Sequence, residues 1–178
     1  MNEADLVLDI IAGDRWRLGT LNLVAELELP DAWVGGGFVR NAVWDRLHDR
    51  PMTPLNDIDV VYCDRSRTDA SIDENLALEL AARSPKRPWS VLNVARKGFR
   101  SVEAAMRKWP ETATAVAVAI QPGNRLALLA PYGVTDLVAM IVRPTSPDMV
   151  ELVKARMEKK RWLKLYPNLE LALEEDAG

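Results

Sequence analysis

Cys63 is the only cysteine and His48 the only histidine in 178 residues. A structural zinc site draws about four such ligands, so zinc chemistry is excluded. A lone cysteine closes no intrachain disulfide, which fits a reducing compartment, and the expected location is cytoplasmic. With His48 the single imidazole, a serine-type triad has only one candidate base. The opening Met1-Asn2-Glu3-Ala4-Asp5 lacks the basic start and apolar run of a secretory signal, and none is expected. No apolar run reaches membrane-spanning length; the longest, Ala113 to Ile120, is flanked by Pro110 and Pro122. No membrane partner is expected. No excess of basic charge is present either: 23 Lys and Arg stand against 26 Asp and Glu, a net charge of −3 with an isoelectric point of about 5.3. That argues against a broad nucleic-acid surface, which would be basic.

What is present is ordinary globular material, 48% hydrophobic and 28% charged, enough for one domain over residues 1–178 with a real core. Apolar spacing predicts helices over Asp5 to Ile11 and Trp16 to Leu29, the second ending at Pro30. Trp33-Val34 opens a short strand, Gly35-Gly36-Gly37 ends it, and a helix follows over Phe38 to Leu47. His48 to Leu55, with Pro51 and Pro54, is a loop. Asp57 to Cys63 alternates as a strand. A helix is predicted over Ser71 to Arg83, a strand over Trp89 to Val94, and a helix over Ser101 to Trp109. Thr112 to Ile120 and Arg125 to Leu129 form a hairpin around Pro122-Gly123-Asn124. A short helix starts at Thr135, one long helix spans Asp148 to Leu165, and the acidic tail 169–178 is expected to fray. The order, helices and strands interleaved, gives an α/β (α+β) domain with a small mixed sheet flanked by helices.

The most informative stretch runs from Trp33 to Tyr62. Gly35, Gly36 and Gly37 let the backbone pass close to a ligand and take up dihedrals closed to other residues. The helix behind them offers unpaired amides to a phosphate. Arg40, on its first turn, suits paired phosphate oxygens; the alternative is an ion pair with Asp45 or Asp57. Asp57 and Asp59 alternate onto one strand face. Two carboxylates so close repel unless a cation sits between them, and an all-oxygen set completed by phosphates and water suits Mg2+ or Mn2+. The plain alternative for the pair is a solvated strand end.

Other residues read more plainly. His48 sits in a charged loop and Cys63 is core filler. The six tryptophans are packing anchors, with Trp44 the one candidate for a base pocket. Lys86-Arg87 and Arg96-Lys97-Arg100 are loop charges that could hold an acceptor phosphate. Lys159-Lys160-Arg161 reads as an exposed helix face, while Arg156, one turn earlier, could point towards the site.

Trp33-Val34-Gly35-Gly36-Gly37-Phe38-Val39-Arg40 followed by Asp57-Ile58-Asp59 resembles the head motif of the DNA polymerase beta type nucleotidyltransferase superfamily, in the style of CCA-adding and poly(A) polymerase heads. More narrowly, most of residues 16 to 167 resembles a family of small bacterial nucleotidyltransferase-like proteins. The stretches carrying this are Arg40 to Asp45, Thr53 to Val60, Trp109 to Val116, Ala130 to Gly133 and Lys160-Arg161-Trp162. The resemblance implies the minimal nucleotidyltransferase fold, with Asp57 and Asp59 as metal-binding catalytic acids. It implies that Gly35, Gly36, Gly37 and Arg40 bind an NTP. Two positions depart from the pattern. Asn41 stands where CCA-type heads carry Asp. The strand expected to bring a third carboxylate offers only Asn93, with Glu111 or Asp136 as stand-ins from elsewhere.

Two functions follow. One is a metal-dependent transferase moving a nucleoside monophosphate from an NTP to an unknown acceptor, a small molecule or protein in preference to nucleic acid. The other is a catalytically weak or inactive module that binds nucleotide or a partner on the same fold. A toxin–antitoxin or other regulatory role would rest on fold analogy alone.

Overall fold

The computed structural model describes residues 2–173. Helices α1 (Glu3–Ala12) and α2 (Arg15–Ala25) come first, and β1 (Trp33–Gly35) leads through the glycine turn into α3 (Gly37–Leu47). Then follow β2 (Ile58–Tyr62), α4 (Ala70–Arg83), β3 (Trp89–Asn93) and α5 (Val102–Met106). The hairpin β4 (Ala117–Gln121) and β5 (Arg125–Leu129) precedes α6 (Thr135–Val138) and β6 (Ile141–Val142). Helices α7 (Val150–Lys159) and α8 (Trp162–Leu165) and strand β7 (Glu170–Leu171) close the described chain.

The strands order β3-β2-β1-β4-β5. Only β2 and β3 run parallel; the other neighbours are antiparallel, so the sheet is mixed as expected. Alternation divides it cleanly. Val34, Ile58, Val60 and Val118 face the main core with Val7, Ile11, Leu21 and Phe38 from α1, α2 and α3. Val61 and Ala117 face the other way, onto Val102, Ala105 and Met106 of α5. This second face carries Gly35 and Asp59, which sit opposite each other in register.

Helix α2 stops at Ala25 rather than Leu29 and α5 at Met106 rather than Trp109; four further departures from the sequence reading have local reasons. Residues 112–116 are not strand: the Ala115 and Thr114 amides donate to the Glu111 carbonyl, so the chain turns before β4 begins at Ala117. The last helix is two helices, because Arg161 takes a left-handed φ of 54° and re-aims the chain after α7. Helix α4 starts at Ala70, one residue before the expected Ser71, because Asp69 caps it, accepting from the Ser71 amide. The start of the tail is held rather than frayed: Leu169 is buried and β7 pairs with β6. Residues 174–178 of that expected tail lie outside the described residues.

The closing segment clamps α3. Trp162 meets Trp44 edge-on, with ring centroids 5.4 Å apart, and Tyr166 lies 5.3 Å from the same indole. The Tyr166 hydroxyl donates to Asp45 Oδ1 at 2.9 Å. Asp45 also accepts from the Thr53 amide and hydroxyl, which pins the loop leading to Asp57. His48 belongs to this clamp rather than to solvent. Its Nε2 accepts from the Asn168 amide, which leaves Nδ1 to donate to the Trp44 carbonyl. Trp44 is fully buried, so it lines no base pocket; its indole N–H donates to the Leu137 carbonyl.

Trp162→Ala should therefore destabilise the protein by about 3–5 kcal/mol, the range for removing a large buried ring. Urea unfolding checks this; a loss under about 1 kcal/mol would show that α8 does not brace α3.

Candidate active site

The glycine turn meets the acidic strand because side chains are missing where they would collide. A Cβ on Gly35 would lie 2.8 Å from Cη2 of Trp109 and 3.2 Å from the Ala117 Cβ. Gly36 has φ 63° and ψ −126°, a conformation that L side chains rarely adopt. A Cβ there would sit 3.6 Å from Asp59 Oδ2, so turn and carboxylate are in contact range. The Gly36 amide is already used, donating to the Val116 carbonyl at 2.9 Å. The next two amides, of Gly37 and Phe38, begin α3 and have no intrahelical acceptor.

Asp59 is half-buried on β2, and Asp57, just before the strand, is exposed. The Asp59 carboxyl is pushed up from its ordinary value, first by burial and then by the negative charge of Asp57. Ser90, its register neighbour on β3, hydrogen-bonds it and pulls the other way. Asp57 and Asp59 thus form an electrostatically strained acidic pair, the situation a divalent cation relieves. Two carboxylates leaving room for phosphates and water fit magnesium's demand for oxygen ligands. No cluster of three or more histidine, cysteine, aspartate or glutamate residues suited to a metal occurs among the described residues.

Three cations stand behind the turn. Arg40 is 4% exposed; its guanidinium donates to Thr114 Oγ1 at 3.0 Å and to Asn41 Oδ1, and lies 4.6 Å over the Trp162 ring. Burial holds its pKa down at about 10, opposed most by Glu111. Neither anticipated ion pair, with Asp45 or with Asp57, forms among the described residues. Asn41 explains part of this. An amide there accepts from Arg40 without neutralising it, where a carboxylate would have done both. Arg156 Nε pairs with buried Glu111 Oε1 at 2.6 Å. Lys160, half-buried, is held below the ordinary lysine range by burial, then by Arg40 and Arg156, and it feels Asp57.

The expected stand-ins for a third carboxylate are placed otherwise. Asn93 is buried beside Tyr62, at the far end of β3 from Asp59. Its amide clamps a loop, accepting from the Asp64 and Ala95 amides and donating to the Asp64 and Arg67 carbonyls. Asp136 is engaged by Arg143 and the Thr112 hydroxyl. Glu111 serves as counter-ion to Arg156. The strand position facing the acidic pair is Ser90.

A nucleotidyltransferase family model matches residues 22–171. The chain belongs to that family. It is similar to a solved structure described as revealing a CCA-adding enzyme head domain: 28% identity over 96% of each chain, TM-score 0.82. A CCA-adding enzyme solved with CTP aligns with TM-score 0.61 and 15% identity, over 97% of this chain and 44% of that one. A tRNA nucleotidyltransferase complexed with a primer tRNA and an incoming ATP analogue aligns with TM-score 0.57 and 19% identity, over 85% and 46%. These two show the fold, and the chain spans less than half their length. No curated protein matches. No helix among the described residues is long and apolar enough to cross a membrane.

Burial and Asp57 make ionised Asp59 costly in the metal-free protein. A carboxyl raised above its unfolded value stabilises the fold below that value and loses this contribution as pH rises through the folded one. Asp59→Asn should therefore raise Tm at neutral pH without metal, with the gain vanishing in acid. A neutral-pH Tm equal to or below wild type would contradict the strained pair.

Proposed function

We propose that this chain moves a nucleoside monophosphate from an NTP to an acceptor hydroxyl, with Mg2+ or Mn2+ held by Asp57 and Asp59. The observation that carries the reading is the contact between the glycine turn and Asp59, which sets a phosphate cradle against an acidic pair. The Gly37 and Phe38 amides bind phosphate oxygens at the start of α3, with Gly35 and Gly36 giving the backbone its close approach. Lys160 meets the triphosphate directly. Arg40, buried behind the turn and paired with no carboxylate among the described residues, acts through its field rather than by contact.

The acceptor oxygen bonds to the α-phosphorus, the bond from that phosphorus to the bridging oxygen breaks, and pyrophosphate leaves with the electron pair. The hydroxyl proton passes to solvent. The bound cation would supply charge neutralisation and make the hydroxyl more acidic. Residues of this chain orient the phosphates and screen their charge, which is most of what phosphoryl transfer asks of a protein. Ser90, in place of a carboxylate beside Asp59, favours a second reading: nucleotide binding with slow transfer or none.

Calorimetry with a non-hydrolysable NTP tests the reading. Wild type should bind more tightly in magnesium than in EDTA. Asp57→Asn should weaken the magnesium-dependent binding about a hundredfold, the scale for removing one preorganised charged group. Its Tm should stay near wild type, because Asp57 is exposed. Metal-dependent binding that survives in a folded Asp57→Asn protein would overturn the assignment. Lys160→Ala should cost about tenfold in affinity, and less in high salt.

A further inference from the structure

Beyond the phosphate cradle, the second face of the sheet carries a groove of about 300 Å3 that includes Asp59 in its wall. That is the small end of the range for small-molecule sites. Its body is apolar and aromatic: Leu92, Phe99 and Trp109. The edge of the Trp109 ring occupies the place where a Cβ on Gly35 would stand. Lys97 and Lys108 also line the groove, both exposed. Neither forms an ion pair among the described residues, whereas Arg96 and Arg107 beside them are paired with Asp73 and Glu103. Asp59 is the groove's one acid, and in the reading above its charge faces the cation.

We propose that this groove is the acceptor pocket, and that it selects a small molecule with a hydroxyl, an aromatic body and an anionic group. The inference rests on the transferase reading. The geometry orders the three parts. The hydroxyl points to Asp59, where the α-phosphorus must come. The ring lies along Trp109, Phe99 and Leu92. The anion meets Lys97 and Lys108, whose ammonium groups would otherwise be two uncompensated cations beside an apolar groove on an acidic protein. A nucleic-acid acceptor would call for a basic track continuing past the groove, which a net charge of −3 does not favour.

The test is a titration followed by the Trp109 indole N–H resonance in the full chain without nucleotide. The probes are hydroxylated aromatic carboxylates, each paired with its neutral amide, led by 4-hydroxybenzoate and 4-hydroxybenzamide. Carboxylates should shift the Trp109 signal at concentrations at least about tenfold below their amides, and the Lys97→Ala/Lys108→Ala double variant should erase that difference. Trp109→Phe, which keeps a ring but removes the reporter, should still show the preference when the Leu92 methyls are followed. Equal response to acid and amide, or no response across the panel, overturns the proposal. So does a single-stranded oligoribonucleotide that shifts Trp109 more strongly than every carboxylate. Failure of the transferase reading looks different: no metal-dependent NTP binding in wild type, whatever the groove does.

Discussion

The site depends on a place with no room for a side chain. Strand β1 reaches the end of the sheet against the Trp109 indole, and a methyl group at Gly35 would overlap the ring at 2.8 Å. One residue later Gly36 needs a positive φ to throw the chain into α3. These two requirements aim the first amides of α3 at the edge where Asp59 emerges. The backbone of these two glycines sets the start of α3 beside the Trp109 indole and the Asp59 carboxylate. The catalytic proposal, the strained acidic pair and the acceptor groove all share that corner.

Charge is organised around the same corner from behind. Arg40 is enclosed by Trp44, Trp162, Asn41 and Thr114, a setting that costs solvation and lowers its pKa. Glu111 offsets part of that cost but is itself claimed by Arg156. The result is a set of cations, Arg40, Arg156 and Lys160, in which Glu111 pairs with Arg156 and Arg40 has no carboxylate partner among the described residues. The closing segment makes this possible. The left-handed Arg161 breaks the last helix so that Trp162 caps Arg40 while Lys160, two residues before that tryptophan, feels Asp57.

How much of this could be read in the sequence follows the range of each interaction. The strand, glycine turn and helix, and the acidic strand after them, are local patterns, and they appear where their residues predicted. Arg156, a residue whose spacing lets it point towards the site, pairs with buried Glu111. Lys159-Lys160-Arg161 reads as an exposed face of one straight helix, whereas Lys160 is half-buried and feels Asp57. Nothing in those residue types announces a positive φ at Arg161. The strand expected to bring a third carboxylate offers only Asn93, and parallel pairing of β2 with β3 puts Ser90, not Asn93, beside Asp59. Register between distant strands is not written in either strand alone. Trp109 read as helix packing; its contact with Gly35 joins residues far apart in the chain.

The central claim is that Asp57 and Asp59 hold the cation while the α3 amides hold the triphosphate. A crystal grown with manganese and a non-hydrolysable NTP, measured for anomalous scattering, tests it most directly. The account predicts a manganese peak bonded to both carboxylates, with phosphate oxygens at the Gly37 and Phe38 amides and Lys160 within reach. A triphosphate seated elsewhere, or a metal that touches neither aspartate, would contradict it.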